Sequence, residues 1–142
     1  MKHDIKVMVV EDNDLDMSLV TSALEADGID YLAIKDSTKA LEAAIKYQPS
    51  IAILDLNMPE VDGREVRKQL HTHPLTSHVK IIFLSASDSV EDVLYGLNVQ
   101  ASAYFKKGVR IGQLINSIVA IDSTAKLKKS IDTYAHFTTN LA

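Results

Sequence analysis

The 142-residue chain contains no cysteine, only three prolines, and fewer basic than acidic side chains. The absence of cysteine excludes disulfide bonds and thiolate metal sites. No apolar run approaches the roughly 18 residues that a membrane-spanning helix needs. The net charge of −4 argues against direct nucleic-acid binding, because phosphate contacts need clustered Lys and Arg. The first residues also lack a small-residue cleavage pattern, so we expect a single cytoplasmic domain with no membrane segment.

The chain is instead rich in short apolar runs that alternate with amphipathic stretches. The apolar runs predict strands at 5–10, 30–34, 51–54, 79–84 and 102–105. Helical spacing of apolar residues predicts helices at 14–26, 38–47, 63–71, 89–98 and from about 110 onward. In the first helix this spacing is carried by Leu15, Leu19 and Ala23, with Asn13 or Asp14 as N-cap. Such alternation predicts an α/β, doubly wound fold, with a mostly parallel sheet and helices on both faces.

Polar side chains follow four of the predicted strands. Glu11 and Asp12 follow the first strand, and Asp55 ends the third. Ser85 follows the fourth strand and Lys107 the fifth. The carboxyl ends of the strands are where ligands collect in such folds, so we expect these groups to share one rim. Carboxylates this close repel one another unless a cation lies among them. Oxygen ligands with open positions favour Mg²⁺ over a closed Ca²⁺ site.

Four motifs at the ends of these strands resemble those of a known family. VVEDN, LDLNMPEVDG, LSAS and AYFKKG occur in the order found in the receiver domains of two-component response regulators. The resemblance covers about residues 5–120 and is nearest to stand-alone, chemotaxis-regulator-like single-domain members. It implies a flavodoxin-like (βα)5 fold with strand order 2-1-3-4-5. It also implies a signalling phosphoprotein of a phosphorelay rather than an enzyme.

The resemblance assigns a phosphoacceptor and a metal site. Asp55 would accept a phosphoryl group from a sensor histidine kinase or a phosphotransfer protein. Glu11, Asp12 and Asp55, with the backbone carbonyl of Asn57, would hold Mg²⁺. By itself, each of these residues could equally be a helix cap or a turn-former.

The resemblance also assigns a switch. Lys107 would pair with Asp55 and then with the phosphoryl group, to which Ser85 would also bond. Tyr104 would turn inward as the Ser85 hydroxyl moves. Output would then be contact with a downstream protein through the face formed by helix 4, strand 5 and helix 5.

One position departs from the family pattern, which usually places proline, joined by a cis peptide, after the lysine. This chain has Gly108, so we expect a trans bond or a looser loop there. The aromatic-x-x-Lys spacing favours Lys107 over Lys106 as the site lysine. Alternation along a strand places these two lysines on opposite faces.

Three rival functions and one rival site stay open. A receiver-like scaffold that is never phosphorylated is one alternative, and a Mg²⁺-dependent aspartyl-phosphate phosphatase is another. Asn57 argues against the phosphatase, because an amide cannot serve as general acid where that class places an aspartate. A flavin carrier would need a phosphate loop where this chain has acids after strand 1. A His-x-His spacing suggests a metal, or simply solvated loop histidines; it involves His71, His73 and His78.

The C-terminal segment extends beyond the predicted core. We predict a receiver domain at 1–122 and a helical extension or tail at 123–142. Leu127, Ile131, Tyr134 and Ala135 have helical spacing, which indicates packing or fraying, or else a homodimer or partner surface. Because few residues follow helix 5, we expect no DNA-binding or enzymatic domain there.

Overall fold

Five parallel strands form one sheet in the order β2-β1-β3-β4-β5. They are β1 (Lys6–Val10), β2 (Asp30–Ile34), β3 (Ile51–Leu54), β4 (Lys80–Ser85) and β5 (Ala103–Lys106). The structure is a computed structural model, which describes the backbone of residues 4–141 and the side chains of 4–135. All five predicted strands are present and the strand order is confirmed.

Five α-helices cover the two faces of the sheet. They are α1 (Asp14–Ala26), α2 (Ala40–Tyr47), α3 (Gly63–Thr72), α4 (Val90–Asn98) and α5 (Ile111–Leu141). Helices α1 and α5 pack on one face, and α2, α3 and α4 pack on the other. Within the described part of the chain, no helix has both the length and the apolarity needed to cross a membrane.

The central strands explain why the sheet forms. Every residue of β3 is buried, as are the last four residues of β1. Side chains alternate across a strand, so Val7 and Val9 contribute to one core and Met8 and Val10 to the other. Full burial of a side chain of this size stabilises the fold by about 1.5–3 kcal/mol, which is why both faces need helices.

Helix α1 packs through a different face from the one its most regular spacing suggests. Leu15 and Leu19 are exposed, whereas Met17, Val20 and Leu24 are buried. The helix itself and its N-cap are as predicted, since the Asn13 side chain accepts a hydrogen bond from the backbone of α1. The sequence of α1 has apolar residues on two faces, and packing against the sheet selects one of them.

Helix α2 begins later than predicted. A 3-10 turn spans Ser37–Lys39, and α2 starts only at Ala40. Ser37 is part of this turn, and the capping side chain is Asp36, which accepts from the backbone N–H of Thr38. An Asx-type hydrogen bond two residues on is typical of aspartate before a turn.

Helix α5 runs through residue 122, the predicted end of the receiver domain, without a break. Asp122 is buried there, and its carboxylate pairs with Lys126 at 2.9 Å. Lys126 also donates to the backbone carbonyl of Asp4 at 3.3 Å, which ties the helix to the start of β1. The division at 122 stays a prediction, and the side chains of 136–142 lie outside the described range.

Candidate functional site

Strand register builds an acidic rim at the carboxyl end of the sheet. Val10 and Leu54 are partners in neighbouring strands, and the next backbone N–H, that of Asp55, donates to the Val10 carbonyl at 3.2 Å. Glu11 therefore emerges beside Asp55. One carboxylate oxygen from each of Glu11, Asp12 and Asp55 lies within 4.8 Å of the others. The rim predicted from the sequence thus brings these three residues together.

Two of the three carboxylates are withdrawn from water. Glu11 is 3% exposed and Asp55 is 5% exposed, whereas Asp12 is open to solvent. Burial raises the pKa of Glu11 from 4.5 to about 7, helped by the charge of Asp55 and opposed by hydrogen bonds from Lys107 and the Asn13 backbone. Such a donor set, all oxygen and partly open to water, fits a hard cation such as Mg²⁺.

The loop after β3 holds Asp55 in place from its backbone. The N–H of Asn57 donates to Asp55 Oδ1 at 3.2 Å, while the Asn57 side chain is exposed. Gly63 begins α3 so close to this loop that a Cβ atom there would lie 2.1 Å from the Asp55 carbonyl oxygen. Asp62 caps α3 by accepting from the backbone N–H of Glu65 at 3.0 Å. The Asp-Gly pair in the LDLNMPEVDG motif therefore sets the approach of α3 to the rim.

Lys107 places its ammonium among three carboxylates. Its Nζ lies 2.8 Å from Glu11 Oε1, 2.8 Å from Asp16 Oδ2 and 3.0 Å from Asp55 Oδ2. Burial alone lowers the pKa of Lys107, but the hydrogen bonds to these carboxylates outweigh it and raise the pKa above its ordinary value. Lys106 points elsewhere and pairs with the exposed Asp88 at 3.0 Å.

Backbone hydrogen bonds hold the chain on both sides of Gly108, and the N–H of Val109 donates to the Lys106 carbonyl at 3.1 Å. The N–H of Lys107 donates to the Ser85 carbonyl at 2.7 Å. Gly108 has φ of +95°, and no atom lies within 4 Å of the position that its Cβ would take. The Lys107–Gly108 peptide bond is trans, which is one of the two outcomes expected from the glycine at position 108.

Ser85 and Tyr104 lie beside the rim but in different settings. Ser85 is fully buried at the end of β4, and its Oγ accepts from the N–H of Ser87 at 3.3 Å. The Tyr104 hydroxyl donates to the Ser87 carbonyl at 2.7 Å. The tyrosine ring is half-buried, with its centroid 6.3 Å from that of Phe83. The Ser85–Ser89 loop is therefore connected to the aromatic ring through Ser87.

Asp16 is the one residue of the rim that sequence reasoning missed. It lies in the first turn of α1, where an acid is readily explained by the helix dipole. Its contact with Lys107 spans 91 positions of the chain, so no local pattern signals it. An acid within the first helical turn after the Glu11-Asp12 pair was the only available hint.

His71, in the last turn of α3, and the loop residues His73 and His78 do not join a group of metal ligands. His71 and His78 are exposed, and His73 accepts a hydrogen bond from the backbone N–H of Leu75 through its own Nδ1. Among the residues that the structure describes, the only group of three or more potential ligands is the acidic cluster at the rim. Solvated histidines account for the His-x-His spacing.

This fold and this acidic rim define the class to which the chain belongs, the response regulator receiver domain family, whose model matches residues 7–119. Members of this family are signalling proteins that interact with histidine kinases or phosphotransfer proteins and bind Mg²⁺ through acidic residues.

Several relatives show how far the similarity extends. The polar-differentiation response regulator DivK of Brucella anthropi is 30% identical over 112 residues, which cover 79% of this chain and 91% of the relative. The chemotaxis protein CheY4 of Vibrio cholerae is 25% identical with a TM-score of 0.75, and the match covers 82% of this chain and 97% of that one. A Francisella response regulator receiver domain is 26% identical with a TM-score of 0.78, covering 86% and 99%.

Proposed function

We propose that the chain is a phosphoacceptor response regulator, which takes a phosphoryl group on Asp55 in a Mg²⁺-dependent reaction. The observation that carries this proposal is the setting of the Asp55 carboxylate. It is buried, 3.0 Å from the Lys107 ammonium, and within 4.8 Å of carboxylate oxygens of Glu11 and Asp12. A purely structural carboxylate would not need two further carboxylates beside it, because each adds repulsion.

The chemistry is transfer of a phosphoryl group to an oxygen nucleophile. An Asp55 carboxylate oxygen forms a bond to phosphorus, while the bond from phosphorus to the donor breaks. With a phosphohistidine donor the leaving group is an imidazole, which takes up a proton, and with acetyl phosphate it is acetate. The product is an aspartyl phosphate. The reaction needs positioning and charge compensation rather than acid or base groups of the protein.

The surrounding residues have separate tasks in this proposal. Glu11, Asp12, Asp55 and the backbone carbonyl of Asn57 hold the magnesium ion, which supplies positive charge to the phosphoryl oxygens when bound. Lys107 releases Asp55 and contacts a phosphoryl oxygen.

Ser85 and Tyr104 transmit the effect of phosphorylation from Asp55 to the protein surface. The Ser85 hydroxyl moves to bond the phosphoryl group, and its loop moves with it. Because Tyr104 is hydrogen-bonded to Ser87 in that loop, a shift of the loop releases the tyrosine ring. The phosphorylated and unphosphorylated states then differ in the position of one aromatic side chain.

The output surface is the α4–β5–α5 face beside Tyr104. Helix α4 exposes four apolar side chains, a feature expected of a protein-binding surface rather than of a solvated helix. They are Val90, Val93, Leu94 and Leu97, with exposed fractions of 73%, 36%, 49% and 68%. We infer that a downstream protein, and no nucleic acid, binds there.

The proposed partners place the protein in the cytoplasm, where a sensor histidine kinase or phosphotransfer protein presents its phosphohistidine.

We further propose that the segment 123–142 is an extension of the receiver domain. It exposes Leu127, Ile131 and Tyr134, a surface on which a homodimer could form. Molar mass measured by light scattering, for the full chain and for a Leu127→Lys, Ile131→Lys variant, tests this.

The rival functions gain less support. A non-phosphorylated scaffold does not require Lys107 to reach Asp55. A phosphatase requires an acid two residues after the nucleophile, and Asn57 occupies that position. A flavin carrier requires room for a phosphate where Glu11 and Asp12 lie.

Intact-mass spectrometry after incubation with acetyl phosphate tests the proposal. Wild type with Mg²⁺ should gain one phosphoryl group, and Asp55→Asn should gain none. Chelation of Mg²⁺ should abolish the gain in wild type. Equal labelling of wild type and Asp55→Asn, or labelling that is independent of Mg²⁺, would show that the acidic rim does not perform this reaction.

A further inference from the structure

Asp16 is the partner of Lys107 that the proposed reaction leaves unexplained. Lys107 has three carboxylate partners, at 2.8 Å for Glu11, 2.8 Å for Asp16 and 3.0 Å for Asp55. Glu11 and Asp55 belong to the cluster of three carboxylates that fits a cation, and Asp16 does not. Asp16 is therefore free to hold the ammonium while the other two carboxylates serve the metal and the phosphoryl group.

The chain that carries Lys107 does little to fix the ammonium by itself. The bonds from the Lys107 N–H to the Ser85 carbonyl and from the Val109 N–H to the Lys106 carbonyl anchor only the backbone, and the next residue, Gly108, has positive φ and open space around its Cβ position. A lysine side chain has four rotatable bonds and loses rotamer entropy when it is held in one place. The location of the ammonium therefore depends on what the side chain contacts.

Asp16, by contrast, projects from a rigid support. It lies in the first turn of α1, and its backbone N–H donates to Asn13 Oδ1 at 3.0 Å. The N–H of Asn13 in turn donates to Glu11 Oε2 at 3.1 Å. The next residue, Met17, is buried against the sheet. The cap of α1 thus connects Asp16 to the rim through short, local bonds.

We propose that Asp16 is a positioning residue, which holds the Lys107 ammonium at the phosphoacceptor throughout phosphoryl transfer. The inference rests on the proposed function. When Asp55 becomes an acyl phosphate its negative charge moves to the phosphoryl oxygens, and Glu11 is engaged with the metal. Asp16 is the carboxylate that remains, and it keeps the ammonium within reach of the incoming phosphoryl oxygens.

Initial phosphorylation rates with acetyl phosphate, measured by intact mass at fixed Mg²⁺, test the proposal. Asp16→Asn should lower the rate about fivefold to tenfold, as expected for one partly exposed, charge-assisted hydrogen bond. Asp16→Glu, which retains the charge, should recover most of the rate. The matched control is Asp14→Asn, which removes an acid from the same helical turn but one that pairs with Lys35 on the surface. This control should react at the wild-type rate.

A double-mutant cycle separates positioning from a general effect of charge. If Asp16 acts through Lys107, Asp16→Asn should have no further effect in a Lys107→Ala background. The Lys107 ammonium signal in ¹H–¹⁵N spectra should also persist in Asp14→Asn and be broadened by exchange in Asp16→Asn.

Three results would overturn the inference while leaving the proposed function intact. They are equal rates for Asp16→Asn and Asp14→Asn, a faster rate for Asp16→Asn than for wild type, and an undiminished effect of Asp16→Asn in the Lys107→Ala background. Failure of wild type to take up a phosphoryl group at all would instead contradict the proposed function, and the role of Asp16 in it would fall too.

Discussion

Deprotonation of the buried Glu11 should make the metal-free protein less stable as pH rises. The pKa of Glu11 is 4.5 in the unfolded chain and about 7 in the folded protein, chiefly because burial disfavours its charged form. The folded state therefore binds this proton more tightly than the unfolded state does. The stability that the protonated group contributes is fully present below pH 4.5 and is lost as pH rises through 7. The difference between these two pKa values corresponds to about 3 kcal/mol in the free energy of unfolding.

Urea denaturation of wild type and Glu11→Gln between pH 4.5 and 8, with a chelator present, measures this effect. The glutamine amide cannot ionise. As pH rises from 4.5 to 8, the free energy of unfolding of wild type should therefore fall by about 3 kcal/mol relative to that of the variant. The variant also loses a partner for Lys107, which shifts its free energy of unfolding by the same amount at every pH. It adds no pH dependence, because the raised pKa of Lys107 keeps this side chain charged throughout the range. Mg²⁺ should stabilise wild type more at pH 8 than at pH 5, because its ligands must be deprotonated. Parallel curves for the two proteins would refute the assignment of this shift to Glu11.

Further substitutions probe the supports of the rim. Gly63→Ala should lower the free energy of unfolding by about 2–3 kcal/mol and slow phosphorylation, since its Cβ would meet the Asp55 carbonyl oxygen; a stable and fully active variant would contradict the close approach of α3. Lys106→Ala should leave unfolding and phosphorylation unchanged, and a loss of phosphorylation would reverse the choice between the two lysines. Tyr104→Phe should cost about 1 kcal/mol in urea denaturation through loss of the bond to Ser87, and an unchanged midpoint would show that this bond contributes nothing.

The sequence predicted the fold well because its clearest pattern, the short apolar runs, follows directly from the need to bury the central strands on both faces. A strand such as Ile51–Leu54 must bury both faces, and it therefore appears as a continuous apolar run. The buried face of α1 was not predictable in the same way. Leu15 and Leu19 show helical spacing as clearly as Met17 and Val20 do, and only contact with the sheet separates the two sets.

The candidate site was predictable where its residues end strands, and not where they come from a helix. Asp55 and Lys107 each follow a strand, so parallel topology alone brings them to one rim. Asp16 reaches Lys107 from the first turn of α1, and its place depends on the angle at which that helix leaves β1. The conformation at Gly108 belongs to a loop, where a glycine tolerates many backbone angles and the sequence selects none.

The position of the phosphoryl group on the chain decides whether Asp55 is the phosphoacceptor. Borohydride reduces an aspartyl phosphate to homoserine, so peptide mass spectrometry after reaction with acetyl phosphate and reduction identifies the modified residue. We expect homoserine at position 55, in the peptide that contains LDLNMP, and nowhere else. Homoserine at another acidic residue such as Asp12, or none in a protein that binds Mg²⁺ and has reacted with the donor, would contradict it.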